Sequence, residues 1–596
     1  MNINNRIEKL RKAMKAERIG ATIVPMTDPH ISEYTPDRYK TLRWITGFTG
    51  SAATAVFTAE RAGLWTDSRY FLQAEDELAG TGIELFRMGL PETPTVQQWI
   101  VSELKQGERV GIESDVFSAL EAESLAKCLT ENELELDTHF SPWDEIWEDR
   151  PPLPTNKAFA LDERLTGESV SSKIARVVAE LKRAGADSTL LASLDMIAWL
   201  FNIRGCDIEY NPVTVAYAYV AEKETTLFID PAKLPEDVAE HLRREGVRIE
   251  DYGNVNDFIA ALPKPTVVLT TAAKLNYHLF LLINQFCTLK PIDIHPVDRL
   301  KAVKNPIEIA GMRRAMKKDG VALVKFFIDL EKKLTEGQPV TEMDVASMLR
   351  KYRSEQALYF SESFSTIAGY AAHGAIVHYS ANENSNSLIE PEGLLLIDSG
   401  AQYEDGTTDI TRTIAVGAVT SCMKDDYTRV LKGNIGLSSA SFPMGTVGTQ
   451  LDVLARQFLW KQGQNYLHGT GHGIGCFLNV HEGPQSIRMN YVPVALEPGM
   501  ITSNEPGLYK AGEYGIRIEN LLLTVADQTT PFGDFYRFET LTLCPIDTSL
   551  INKELMNPDE IAWLDRYHAE VYEQLSPELD ADEKEWLRDK CKPVAD

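Results

Sequence analysis

LLLIDSGAQYEDGTTDITRT, residues 394–413, places Asp398 and Asp409 eleven positions apart. LLLID is a short apolar run that ends on Asp398, SGAQYEDGT is turn-forming, and TDITRTIAV resumes strand character. The pattern predicts a hairpin with one carboxylate on each arm. On the second arm Asp409, Thr411 and Thr413 share one strand face, and Ile410, Arg412 and Ile414 share the other. Taken alone, the two aspartates read as solvated loop residues. Two carboxylates held side by side, however, repel unless a cation lies between them.

The residues that follow favour the cation. Five of the eleven histidines lie between residues 373 and 481, and YLHGTGHGIG (466–475) supplies His468 and His472. The interleaved glycines oppose a helix and permit close approach to a ligand, and a neutral imidazole suits a first-row divalent ion. GMITSNEPG (499–507) ends a strand at Glu505, with Pro506 and Gly507 turning the chain. In YGIRIENLLLTV (514–525) alternation puts Arg517 and Glu519 on one face and Ile516 and Ile518 on the other. A polar face within an apolar strand is unfavourable unless satisfied, and a metal would satisfy it, with Arg517 orienting the carboxylates.

The order Asp, Asp, His, Glu, Glu is what a two-metal hydrolytic site requires. Oxygen-rich ligation favours Mn²⁺, Mg²⁺, Co²⁺ or Zn²⁺ over copper. Four carboxylates are balanced by two divalent ions, and ions about 3.5 Å apart can share a bridging hydroxide as nucleophile.

Around this nucleus the composition sets bounds. A chain of 596 residues is too long for one core and implies several domains. The net charge of −27 argues against nucleic acid and anionic membranes as partners. Seven scattered cysteines (128, 206, 287, 422, 476, 544 and 591), without a CxxC, fit free thiols in a reducing compartment. Cys476, near the histidine pair, reads as a small buried side chain. The N-terminus lacks the apolar core of a signal peptide, and no run approaches the length of a membrane span, so the expected location is the cytoplasm.

Upstream, the class is α/β (α+β). RIEKLRKAMKAERIGATIVP (6–25) and KIARVVAELKRAGADSTLLA (173–192) share one pattern: an amphipathic helix, a glycine turn and a strand. In the first of these Ile7, Leu10 and Met14 form the apolar stripe. AATAVFTAERAGLWTDSRYFLQAEDEL (52–78) reads as a hairpin running into a helix, and TVAYAYV and TTLFI as paired strands. The expected domains are 1–152, 153–298 and 299–596, with EDRPPLPTNKAF (148–159) as a linker. A long helix begins near residue 300, and the tail beyond 555 reads as two amphipathic helices in which His568 is a packing or surface residue.

IDSGAQYEDGTTDITRT, YLHGTGHGIGCFLNVHEGP, ITSNEPGLY and GIRIEN together resemble the catalytic domain of the Xaa-Pro aminopeptidase family. These are pita-bread metallopeptidases (M24), grouped with methionine aminopeptidase and prolidase. WITGFTGSAATAVF (44–57), TDSRYFLQAEDEL (66–78) and LKAVKNPIEIAGMRRA (300–315) extend the resemblance to the long three-domain form. It implies two related creatinase-like N-terminal domains and a C-terminal pita-bread domain.

By this resemblance Asp398 binds one metal, Asp409 and Glu519 bridge both, and His472 and Glu505 bind the other. Glu505 also acts as general base. His378 (GAIVHYS) and His481 (NVHEGP) hold the scissile carbonyl and its oxyanion. His468 shuttles protons or supports a ligand, and Arg517 and Tyr509 support the metals. His373 receives no role and is expected in a loop at the site mouth. The implied reaction is release of the N-terminal residue from peptides with proline second, through attack of the metal-bridging hydroxide. Mn²⁺ is the favoured ion, with Zn²⁺ and Co²⁺ compatible, and the implied assembly is a homodimer. The alternatives are a prolidase-type Xaa-Pro dipeptidase, disfavoured by the middle segment, and a non-catalytic pita-bread binding protein, disfavoured by the complete ligand set.

Overall fold

The computed structural model describes residues 2–594. It divides into two compact units, one of residues 1–161 with 168–297, the other of 162–167 with 298–596.

The first unit contains two six-stranded mixed sheets with the same topology. The strands of the first are β1 (Ile19–Pro25), β2 (Ala53–Thr58), β3 (Ala62–Thr66), β4 (Glu84–Arg87), β5 (Arg109–Gly111) and β6 (Glu135–Asp137), in the order β4-β3-β2-β1-β5-β6. A two-stranded ribbon, β7 (Phe159–Ala160) with β9 (Ile203–Arg204), frames β8 (Ser188–Leu191). β8 joins β10 (Tyr217–Ala221), β11 (Thr225–Phe228), β12 (Val247–Glu250), β13 (Val267–Thr270) and β14 (Thr288–Pro291), in the order β12-β11-β10-β8-β13-β14. In each sheet the strand after the opening helix lies central, antiparallel to one arm of a hairpin and parallel to a later strand. The helix Ile3–Glu17 buries Ile7, Leu10 and Met14 against the first sheet, as its stripe predicts. Of the expected linker 148–159, residues 148–158 form no helix or strand, and Phe159 begins β7.

The second unit contains the 30-residue helix Pro306–Thr335. Its start is written in the sequence: Asn305 accepts the N–H groups of Ile307 and Glu308, Glu308 returns a bond to Asn305, and Pro306 occupies the first turn. The strands that follow are β15 (Tyr359–Glu362), β16 (Ile367–Tyr370), β17 (Leu394–Ser399), β18 (Ala401–Tyr403), β19 (Gly406–Thr407) and β20 (Ile410–Ala415). They form two three-stranded sheets, β15-β18-β19 and β16-β17-β20. Next come β21 (Ser441–Pro443), β22 (Gly471–Gly473), β23 (Glu482–Ile487), β24 (Ile501–Asn504), β25 (Gly507–Lys510), β26 (Tyr514–Arg517), β27 (Asn520–Thr530) and β28 (Gly533–Thr540). Six of these make the sheet β21-β28-β27-β24-β22-β23, while β25 and β26 form a separate hairpin.

Helices cover the apolar strand faces. Leu323 and Phe326 of the long helix pack with Leu395, Ile397 and Ile410, whereas Met312 and Met316 pack with Ile501, Leu521 and Leu523. Tyr427, Val430 and Ile435 of the helix Ser421–Ser438 meet Ile516, Ile518 and the helix Pro558–Leu575. The opposite faces of β17, β20, β22, β24 and β26 carry the polar residues. His568 lies wholly inside, its Nε2 accepting the Ile546 N–H at 3.1 Å, so it is a packing residue and not a surface one.

Candidate metal centre

β17 and β20 pair antiparallel, but the expected simple hairpin is more elaborate. Asp398 sits opposite Thr411 in the ladder, and Asp409 stands one residue before β20 begins. The intervening residues are not a loop: β18 and β19 form their own hairpin against β15. Two consecutive hairpins therefore bring both aspartates to one buried place. Past the junction the predicted alternation holds. Thr411 and Thr413 donate to Glu519 Oε2 and the Arg517 carbonyl at 2.8 and 3.0 Å, whereas Arg412 points away to the Cys544 carbonyl.

His472 occupies the middle of β22 and Glu505 follows the end of β24. The Nδ1–H of His472 donates to the Gly473 carbonyl at 2.9 Å, which leaves the lone pair on Nε2. That Nε2 lies 3.5 Å from Asp409 Oδ2 and 3.4 Å from Glu505 Oε1. Glu505 is fixed by its N–H on the Thr470 carbonyl and by Ser503 Oγ on Oε1 at 3.1 Å. Glu519 is held by its N–H on the Thr411 carbonyl.

Two of the three glycines of HGTGHG, Gly471 and Gly473, answer to the sheet. A Cβ on Gly471 would stand 2.0 Å from the Ser503 carbonyl oxygen, and one on Gly473 2.3 Å from that of Glu482. The close approach is strand on strand, because β22 is squeezed between β23 and β24.

The electrostatics identify what the cluster is built for. Burial first, then the facing carboxylates of Asp398 and Glu505, hold the Asp409 carboxyl well above the usual carboxylate range. Burial and the carboxylates of Asp409, Asp398 and Glu505 do the same to Glu519. Burial pushes Glu505 up to about 7, against the pull of Arg517. Asp398 Oδ1 is buried without a hydrogen-bond partner among the described residues. Donor atoms of Asp409, His472 and Glu519 lie within 4.8 Å of one another. Mutually destabilised carboxylates, an orphaned carboxylate oxygen and a correctly presented imidazole nitrogen fit hard or borderline divalent cations.

The remaining predicted residues surround this cluster. Arg517 donates from Nε and Nη2 to Asp398 Oδ2 at 3.2 and 2.6 Å, and from Nη1 to the Tyr509 hydroxyl at 2.7 Å. Tyr509 therefore uses its own proton toward His468 Nε2, 2.9 Å away, while the His468 Nδ1–H donates to the Gly469 carbonyl. Burial opposes the Arg517 charge, yet Tyr509, Asp398 and Glu505 more than restore it. His481 packs edge-on to His472, ring centroids 4.4 Å apart. His378 lies in the segment after the short helix Ala371–Ala375, next to Val377, whose carbonyl accepts from Arg517 Nη2 at 3.3 Å. His373 belongs to that short helix rather than to a loop, and its Nδ1 sits 2.9 Å from Glu342 Oε1.

Two features escaped the sequence reading. Lys301 and Lys304 both bind the carboxylate of Glu482, the residue after His481, and all three are buried. Glu342 is the other, a buried carboxylate beneath the His378 segment. Lysines and glutamates look alike in sequence whether solvated or paired inside.

Residues 310–526 match metallopeptidase family M24, and 534–594 match the C-terminal region of that peptidase. Residues 6–139 and 149–308 each match a creatinase/prolidase N-terminal domain. The chain is 41% identical over 616 residues to a probable Xaa-Pro aminopeptidase P of Laccaria bicolor, covering 100% of this chain and 94% of the relative. It is 39% identical over 632 residues to aminopeptidase P2 of Arabidopsis thaliana, covering 100% and 89%. Among solved structures, the X-prolyl aminopeptidase of Caenorhabditis elegans, described as a cytosolic enzyme with a di-nuclear active site, superimposes with a TM-score of 0.95 at 36% identity over 100% of both chains. A Xaa-Pro dipeptidase of Bacillus anthracis reaches a TM-score of 0.51 at 25% identity over 64% of this chain and 99% of its own. The two sheets of common topology, the carboxylate cluster and relatives spanning the full length agree: the chain belongs to metallopeptidase family M24, among the long aminopeptidases P that carry two creatinase-type N-terminal domains.

Proposed function

We propose that this protein is a metal-dependent aminopeptidase that releases the N-terminal residue from peptides with proline at the second position. The observation that carries the reading is the cluster of buried carboxylates around His472 Nε2 in a chain matched end to end by aminopeptidases P. Asp398 would hold one ion, Asp409 and Glu519 both, and His472 with Glu505 the other. Two divalent ions, Mn²⁺ by preference, would supply Lewis-acid activation of water and of the scissile carbonyl.

The chain's own groups do the rest. The Glu505 carboxylate takes the proton of the attacking water and returns it to the departing prolyl nitrogen. An amine cannot leave as its anion, so this proton must be delivered, and it becomes the only N–H of the released proline amine before further protonation. His378 and His481 hold the scissile carbonyl oxygen and stabilise the charge that develops on it. Arg517 fixes Asp398, and the Tyr509 hydroxyl links Arg517 to His468.

The reading extends to three domains at 1–152, 153–298 and 299–596, a homodimer, and a cytoplasmic location. Seven free thiols and the charge of −27 support the last of these. None of the described helices is long and apolar enough to cross a membrane.

The test is Mn²⁺-dependent hydrolysis of Xaa-Pro-Xaa tripeptides beside Xaa-Pro dipeptides. Tripeptide cleavage after the first residue is expected; cleavage confined to dipeptides would overturn the reading in favour of a prolidase.

A further inference from the structure

One carboxylate outside the metal-facing set organises the segment that carries His378. Glu342 is the first residue of the helix Glu342–Ser354 and is 0% exposed. Its Oε1 accepts the Tyr370 N–H at 2.8 Å. Its Oε2 accepts the Tyr379 hydroxyl at 2.8 Å and the Ser387 N–H at 2.9 Å. The Nδ1 of His373 lies 2.9 Å from Oε1 and 3.1 Å from Oε2, and the His373 ring stacks on Tyr379 at 4.5 Å. The helix start adds two bonds: the Glu342 N–H to the Ser387 carbonyl at 3.1 Å, and the Met343 N–H to Asn386 Oδ1 at 3.0 Å. A single side chain thus touches residues 370–387 at the start, twice in the middle and at the end.

The segment needs such a fastening. Beyond the short helix Ala371–Ala375 it has no helix or strand until β17, and residues 381–387 read ANENSNS, a turn-forming run with little apolar surface. Its inner part nevertheless reaches the metal cluster. The Val377 carbonyl accepts from Arg517, and Gly374 lies so close to β26 that a Cβ on Gly515 would stand 1.7 Å from the Gly374 oxygen. A buried side chain that gathers several hydrogen bonds can hold several weak anchors together.

We propose that Glu342, acting through His373, Tyr379 and the Ser387 amide, is the positioning residue for His378. It holds the 370–387 strap so that the imidazole meets the scissile carbonyl. This gives His373 its role: it tightens the strap from its partly exposed side and does not touch substrate. The inference rests on the assignment of His378 as a carbonyl-holding group.

The test uses the full-length, Mn²⁺-loaded enzyme with Glu342→Gln, Tyr379→Phe and His378→Ala. Glu342→Gln is isosteric but turns an amide N–H₂ toward groups that donate. Expected results are a fall in kcat of about tenfold to a hundredfold with KM changed less than about threefold. Metal stoichiometry should be unchanged, and amide exchange over residues 371–388 faster. Tyr379→Phe, which keeps the ring stack and the buried carboxylate, should show the same split in smaller measure, and it carries the test if Glu342→Gln fails to fold. Wild-type exchange in the strap, or kcat within about twofold of wild type, overturns the positioning role. If His378→Ala is impaired while the other variants are normal, only the positioning role falls. If His378→Ala is itself normal, the assignment of His378 falls and the inference with it.

Discussion

His472 meets the cluster with Nε2 because the Gly473 carbonyl occupies the proton on Nδ1. The same ordering of donors runs through Arg517, Tyr509 and His468: Arg517 Nη1 donates to the Tyr509 hydroxyl, the hydroxyl to His468 Nε2, and the His468 Nδ1–H to the Gly469 carbonyl. Removing the hydroxyl at its centre, Tyr509→Phe, should lower kcat/KM about tenfold to a hundredfold, measured on a tripeptide, because Arg517 loses an acceptor and His468 a donor. Asp409→Ala should abolish turnover and bound metal while leaving the circular dichroism spectrum unchanged. Glu519→Gln separates function from stability. It removes one of several mutually repelling buried carboxylates, so the chelator-treated protein should melt about 2–4 °C higher than wild type while its activity is lost. A lower melting temperature would mean that repulsion among the carboxylates adds little to the effect of burial. The carboxylates and imidazoles were legible in the sequence because their types and order are specific. Glu342 and the lysines facing Glu482 were not, since burial alone distinguishes them from surface charge.

Among the elements, β22 and β23 show how a short strand can be held by charge. Glu482 begins β23 immediately after His481, and its carboxylate is clamped by Lys301 and Lys304, side chains only 1% exposed. Truncating the acid leaves two buried ammonium groups facing each other. Glu482→Ala should therefore cost about 3–5 kcal/mol in denaturant unfolding, far more than truncation of an exposed glutamate. The strand alternation of β20 and β26 was readable from sequence, since threonines and charged groups interleave with isoleucines. The connection between Asp398 and Asp409 was not. Its turn-forming composition describes β18 and β19 as well as a loop, and only pairing with β15 distinguishes them.

At the scale of the molecule, two histidines in the first unit and one in the second are held neutral. Burial pushes His30 and His295 down to about 3 and His568 down to about 4, from an ordinary value of 6.5. In the unfolded chain these imidazoles bind protons near pH 6.5, so the unfolded state takes up more protons as pH falls below that value. Their contribution is present above pH 6.5 and is lost progressively toward pH 3–4. The thermal midpoint should fall steadily below pH 6.5, and His568→Gln, which keeps an acceptor for the Ile546 N–H but does not titrate, should show a shallower decline. An equal slope in both proteins would mean that other groups drive the acid response. The repeated helix–glycine–strand pattern near residues 6–25 and 173–192 foretold two domains of related fold, although only the second helix ends on its glycine: Gly185 takes the left-handed cap there, whereas Arg18 takes it in the first copy and Gly20 lies within β1.

By itself the sequence determined which residues can bind metal, where helices start, and which strand faces are apolar. Those properties follow from side-chain chemistry and from periods of a few residues. Only the tertiary structure decided that residues 398, 409, 472, 505 and 519 converge, and that Gly471 answers to the Ser503 carbonyl. It alone placed Glu342 and Glu482 inside. Convergence, close backbone approach and burial depend on partners far apart in the chain, and no local pattern encodes them.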